Sequence, residues 1–551
     1  MVLEWLDVVT PSEPTITADY VNSPGWRVVR PAKHRSGYSA VNREFQHFFE
    51  GVNFAYLELS QNDVQEFGRI TAGQNIYRLN YVRRLWLRVI LPTYDCDACQ
   101  KPEDSLTRAN NNAVFTRALV LLLDILSRWK KKDMLQPQQV SKGMILELSA
   151  QSPSDAQHSF LRCFHLRESY PYKVSPDGLK LRKRFKDWFY FMDRSLVVGR
   201  KNDEFHHLEG GIPNRSLPNG AKARLHGTPL ELNYRNSPLD HKRRTRNKLP
   251  TVELVTGLSF RRQFFRTLAP SMVRKLMEGL VCLQDFRYEF WLPSPSWQVS
   301  DVYFRAELKT LLRSGLPTTL RRLSLFRDFD HRFTVQQFNK PAPPTRKCDS
   351  LALAEASHQL EVLSSSWITD AADFFAAPKR ESSPWPFLRH LALTTSYLHP
   401  ERPHDLMNSV IGLAAVAASQ MPNLEKMEIW SCGGWRNCLG HACIFRYGFN
   451  EVDGSVITWS STWPDERELV FSKAVIRAWK AVAEGRKGGR PLRVERRPLV
   501  DVNIESCFNQ WQFHAAVIPR LELKKEVLEG LSRFQLATEL KSPLWNLRWV
   551  T

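Results

Sequence analysis

Four side chains in the C-terminal third are of types that could do chemistry together: Cys432, Cys438, His441 and Cys443. Thiolates and an imidazole are zinc ligands, and a thiol beside an imidazole is the pairing of a cysteine nucleophile. The spacing suits neither. A structural zinc site needs four ligands at finger-like intervals, and this set fits no such pattern. No Asn or Asp stands out to orient a catalytic histidine. Cys96-x-x-Cys99 is a second, isolated pair. Small buried thiols and a surface histidine are the expectation for both groups. The pairs Gly433-Gly434 and Gly488-Gly489 lack the strand before and helix after that a phosphate-cradling loop requires. The sequence therefore predicts no enzyme, no metal and no cofactor.

Recognition chemistry is richer. The chain carries 17 Trp in 551 residues, and several of them lie inside a recurring phrase. The phrase is an apolar residue, two others, an apolar residue, one other, and a third apolar residue. It reads Val82-x-x-Leu85-x-Leu87, Leu283-x-x-Phe286-x-Tyr288, Leu320-x-x-Leu323-x-Leu325, Leu388-x-x-Leu391-x-Leu393 and Leu424-x-x-Met427-x-Ile429. Weaker copies are Leu360-x-x-Leu363, Met144 to Leu148, and Val252 to Leu254 leading to Leu258 and Phe260. Each reads as a short strand whose alternate side chains enter a core.

If Leu85 and Leu87 point inward, alternation turns Trp86 and Arg88 to the other face. The same parity puts Arg287, Glu289 and Trp291, then Phe326, then Glu428 and Trp430 on that face. Aromatics and arginine together are the composition of a protein-binding hot spot. Two outcomes are open: a solvent-exposed concave face that binds a target protein, or a face over which the C-terminal region or a basic loop packs.

Between the phrases run amphipathic stretches of helical period, such as Ser271 to Leu283, Val302 to Leu312 and Leu406 to Ala418. Strand and helix alternate in steps of roughly 28–40 residues. The expected fold is α/β, an irregular leucine-rich-repeat-like solenoid in which no unit buries its face without its neighbours. An open α/β sheet with unrelated connections is the alternative. Asp453-Gly454 between two apolar runs predicts a two-residue hairpin, followed by a helix from Ser472 to Glu484. The expected organisation is an irregular segment over 1–33, a partly F-box-like helical region over 34–70, a repeat body over 71–435 and a cap over 436–551.

The net charge is +20, and residues 180–248 hold 17 Lys/Arg against 7 Asp/Glu. The clusters are Lys180 to Lys186 and Lys242 to Lys248. Four Gly and five Pro between Gly210 and Pro250 make a solvated surface loop the expectation, inserted over about 206–250. Aromatics are not interleaved with the basic residues from Lys242 to Lys248, and a nuclear nucleic-acid partner ranks behind a protein partner. The run Val410 to Ala418, nine residues, is too short for a membrane span. No secretory leader is visible, and nine cysteines suit a reducing compartment, so a cytoplasmic or nuclear location is expected.

Tyr38-Ser39-Ala40-Val41-Asn42-Arg43-Glu44-Phe45-Gln46-His47-Phe48-Phe49-Glu50 resembles the second half of a fungal F-box. The phrases Tyr81 to Val89, Leu91 to Cys99 and Leu225 to Leu232 resemble a fungal family of F-box-like proteins with leucine-rich-repeat-type bodies, known mainly as a domain of unknown function. The opening Leu-Pro-x-Glu segment of an F-box is missing from residues 1–33, so the module reads as degenerate or truncated. The resemblance implies a substrate receptor of an SCF (cullin-RING) ubiquitin ligase, with Val41, Phe45, Phe48 and Phe49 as the remnant of the adaptor-binding surface. The alternative is a repeat scaffold with no ubiquitin role.

Overall fold

The computed structural model describes residues 43–99, 101–131, 143–157, 219–234, 248–262, 266–291, 298–328, 347–376, 385–433, 440–486, 490–499, 502, 510–533 and 536. Twelve strands form one sheet in which spatial order equals chain order. They are β1 (Tyr56–Ser60), β2 (Arg84–Ile90), β3 (Met144–Gln151), β4 (Val255–Phe260), β5 (Asp285–Trp291) and β6 (Arg322–Asp328). The series continues with β7 (Val362–Ser366), β8 (His390–Thr394), β9 (Lys426–Gly433), β10 (His441–Asn450), β11 (Gly454–Ser461) and β12 (Arg493–Arg496). Neighbours from β1 to β9 pair in parallel, β9 to β11 are antiparallel, and β11 and β12 are parallel again.

The leucine phrases set the register. Leu85 faces Leu146, Phe286 faces Leu323, Leu323 faces Leu363, Leu363 faces Leu391, and Leu391 faces Met427. A one-residue slip would turn every one of them to the wrong face, so the apolar ladder fixes the pairing. These side chains share a continuous core with the helices Ser105–Leu126, Pro270–Gly279, His404–Ala418 and Lys473–Glu484. Consecutive helices from Pro270–Gly279 to Lys473–Glu484 pack against one another in chain order. Helix starts follow local chemistry: Asp104 accepts from the Thr107 N–H, Asp370 from the Ala372 N–H and Ser472 from the Val475 N–H.

Three expectations are corrected. The region 34–70, read as helical, contributes β1 to the sheet, with Leu57 opposite Leu85. The hairpin loop is three residues, since Asn450 pairs with Gly454; Gly454 takes φ 78°, the left-handed bulge position such a loop uses. The basic insertion is not loop throughout. Residues 219–234 hold the helix Asn219–His226 and a bridge from Leu230 to Leu268, with Ala223, Leu225 and Leu230 buried. Arg224 anchors this piece by donating to the carbonyls of Ala98 and Lys101. The clusters at 180–186 and 242–247, and residues 1–33, lie outside the described residues.

Candidate functional site

The sheet has a second face, turned away from the helices, and it is not open to solvent. Trp86, Phe326 and Trp430 have no exposed surface and Trp291 has 1%. Glu289, Glu428 and Arg88 are also buried, and only Arg287 is partly accessible. The expectation of a solvent-exposed aromatic face is therefore overturned. The physical reason differs along the sheet: Arg261 and Arg262 lie over Trp86 and Trp291, while around Phe326 and Trp430 residues 510–533 return across the sheet and form a second apolar core with it. Phe513, Val517, Ile518, Leu521, Leu523, Val527 and Leu528 pack with Phe326, Trp367, Ala392, Trp430 and Ile444.

Polar chemistry between strap and sheet is specific. Glu428 on β9 accepts the backbone N–H groups of Glu522 at 3.0 Å and Leu523 at 2.8 Å, and the Arg446 guanidinium at 2.7 Å. Glu289 on β5 accepts the N–H of Glu529 at 2.8 Å, the hydroxyl of Ser532, and the Arg262 N–H at 3.1 Å. Arg287 donates to the Lys525 carbonyl at 2.7 Å. Two strand carboxylates thus read the backbone of a polypeptide laid over them.

The strap answers with its own acids. Of Glu522, Glu526 and Glu529, only Glu526 lies on the short helix Lys524–Val527, and Leu528 is extended before Glu529. The three acids meet a row of cations: Lys426 lies 2.5 Å from Glu522, Arg322 3.6 Å from Glu526, and Arg84 2.8 Å from Glu529. Burial drives the Glu529 carboxyl up, but Arg84 and Arg261 hold it below the usual range. Burial also pushes Glu289 up, and neighbouring Glu529 adds to the rise.

A fully buried cluster lies under the start of the strap. His514 Nδ1 is 3.5 Å from Asp328, which also pairs with Arg262. Burial lowers His514 against the pull of Asp328, while Arg262 and His514 together hold Asp328 down despite its burial. The ring of His514 packs 5.3 Å from Phe326 and 5.5 Å from Trp367. Trp367 sits at φ 64°, a conformation that a bulky side chain keeps only when its surroundings impose it.

The other expected residues fall into separate places. Trp86 donates to Ser149 at 2.8 Å beneath the Arg261 guanidinium, Arg88 pairs with Glu58 at 3.1 Å, and Trp291 donates to the Arg262 carbonyl at 2.8 Å. Of the adaptor remnant, Phe49 is buried, Phe45 and Phe48 on the helix Arg43–Phe54 are half-buried, and Val41 lies outside the described residues. Sequence reasoning missed Glu147, Arg261, Arg262, Asp328, His514 and the acidic triplet. The carboxylates at far-face strand positions were the available signal, because a buried charge must find a partner.

Of the cysteine–histidine group, Cys432, His441 and Cys443 are among the described residues. Among the described residues no three His, Cys, Asp or Glu side chains are placed to hold a metal ion. His441 instead stacks edge-on against His399 at 4.2 Å, and the Cys443 thiol, pushed up by burial, points to the Leu398 carbonyl. Cys438 lies outside the described residues. Nor is any helix among the described residues long and apolar enough to cross a membrane.

Residues 315–529 match the model of a family of unknown function, DUF6546. That segment runs from the turn before β6 through β12 and ends at Glu529 in the strap. No curated protein matches the chain.

Proposed function

We propose that the chain is a non-catalytic polypeptide-binding protein, built as an irregular leucine-rich-repeat-like solenoid, whose far sheet face is the binding surface. The solenoid reading is supported by twelve strands in chain order and by helices that stack on their sequence neighbours. The binding reading is carried by one observation: Glu289 and Glu428 spend their buried charge on the backbone amides of a polypeptide. A core built for stability alone fills such positions with apolar side chains, because buried carboxylates are costly. Main-chain capture with flanking pockets is how a sheet recognises a peptide.

The experiment is peptide selection by the full chain, repeated with the double variant R322E and K426E. Arg322 and Lys426 are 45% and 42% exposed and belong to neither apolar core, and their reversal removes the cations that face Glu526 and Glu522. Selection of peptides by the parent and loss of it in the variant is expected. No selection by either chain would contradict the reading.

A substrate-receptor role in a cullin-RING ligase is a second reading. It draws on the resemblance of residues 38–50 and on the half-buried Phe45 and Phe48, which leave apolar surface for an adaptor on the helix Arg43–Phe54. Co-purification of an SCF adaptor with the full chain, lost on F45A and F48A, tests it.

A further inference from the structure

Residues 510–533 behave in the structure as a ligand behaves, not as a structural unit. Their helices span Gln510–Val517, Ile518–Arg520 and Lys524–Val527, all far below the length at which a helix is stable alone. Among the described residues, their buried apolar side chains belong to the core they share with the sheet. The order of the segment is therefore imposed by the face beneath it, as when a disordered peptide folds on binding. The Glu522 end of the strap is more weakly held than the Glu526 and Glu529 positions, which are only 14% and 11% exposed. Lys426 and Glu522 are 42% and 40% exposed, and ion pairs that open to water contribute little.

We propose that this C-terminal strap is a displaceable internal occupant, and that the partner taking its place is an amphipathic segment of the same design, with carboxylates at the strap's three glutamate positions. Building on the binding reading above, the proposal names the ligand class. Such a segment carries carboxylates at i, i+4 and i+7 for the cations Lys426, Arg322 and Arg84, as Glu522, Glu526 and Glu529 do. Leucine or valine between them fills the pockets of Leu523 and Val527, both of which lie in the shared core. Backbone amides supply Glu428 and Glu289. The strap is thus both a lid on the face and a template for what the face accepts.

The test uses the full chain and a fluorescent synthetic peptide of residues 519–533. In the chain, E522K and E526K set like charges against Lys426 and Arg322 and loosen the strap. The peptide is expected to bind this variant at least about tenfold more tightly than the parent, with affinity falling as salt rises. A peptide with its three glutamates replaced by lysine is expected to be ignored. Hydrogen exchange on the unaltered chain provides the second measurement, and it stands if the variant fails to fold. The Leu523 and Glu529 amides should exchange through an opening that leaves β5 to β9 protected. Exchange of those amides only with global unfolding would overturn the displaceable strap and leave the binding reading standing. Equal capture of both peptides would overturn the requirement for carboxylates at these three positions. A strap that opens over a face capturing neither peptide would overturn both the proposal and the reading it rests on.

Discussion

The carboxylate of Glu428 and the backbone N–H of Leu523, 95 residues apart in the chain, are joined at 2.8 Å. Glu428 has no exposed surface, so this bond and its partners from Glu522 and Arg446 are what make the charge tolerable there. Removing one side of such an arrangement leaves the other buried and unpaired.

E428A should therefore destabilise the chain by roughly 3–5 kcal/mol, because Arg446 and two strap amides lose their acceptor. E428Q keeps an acceptor oxygen and should cost less than half of that. Urea unfolding of the two variants side by side measures the difference, and equal losses would mean that the carboxylate does not organise the strap.

Trp291 and Trp430 are buried, so their truncation should act on folding. W291A and W430A should each lower stability by about 3–5 kcal/mol, the usual cost of deleting a large buried aromatic. A melting temperature unchanged in either variant would place that ring at the surface.

Burial, with His399 beside it, holds His441 down at about 3, against an ordinary value of 6.5. Below pH 6.5 the unfolded chain takes up a proton that the folded chain refuses, so this contribution is complete above about pH 7 and is lost as the pH falls. Each pH unit of that descent is worth about 1.4 kcal/mol. Between pH 6.5 and 5 the parent should lose roughly 2 kcal/mol more than H441Q. Parallel curves for the two proteins would show that His441 titrates normally.

Gly227 adopts φ 59° and packs so closely on Arg266 that an added Cβ would lie 1.7 Å from the guanidinium. That guanidinium pairs with Glu103 at 2.7 Å. G227A should cost about 1–3 kcal/mol, through the left-handed backbone and the displaced ion pair. R266A in the same background should recover little of it, since Glu103 then stays buried without its cation.

Much of the sheet was legible because its signal is local and repeated. A phrase such as Leu320-x-x-Leu323-x-Leu325 fixes a strand, its facing and its register at once, and β6 holds it at Arg322–Asp328. β1 was missed although Phe54-x-x-Leu57-x-Leu59 fits the phrase, because its first apolar residue is the last of the helix Arg43–Phe54 and the strand follows after one residue. The helix Asn219–His226 was hidden by glycine, proline and basic residues, although Leu225 and Leu230 supplied the apolar contacts that order it.

The candidate face was half legible. Alternation identified its members, from Trp86 to Trp430, and packing by the C-terminal region was one of two outcomes left open, without the residues that do it. Nothing periodic marks residues 510–533 as belonging there. The one available clue was complementary: Glu522, Glu526 and Glu529, far along the chain from Arg84, Arg322 and Lys426. Pairing charges over such separations requires the fold first.

The C-terminal strap lies across the far face of the same molecule. Zero-length carbodiimide coupling joins a lysine only to a carboxylate already in contact with it, and Lys426 Nζ stands 2.5 Å from Glu522. Both side chains are about 40% accessible to reagent. Mass spectrometry of the coupled monomer should recover a Lys426–Glu522 amide, absent from K426E. A monomer that couples efficiently elsewhere and never forms this link would contradict the account.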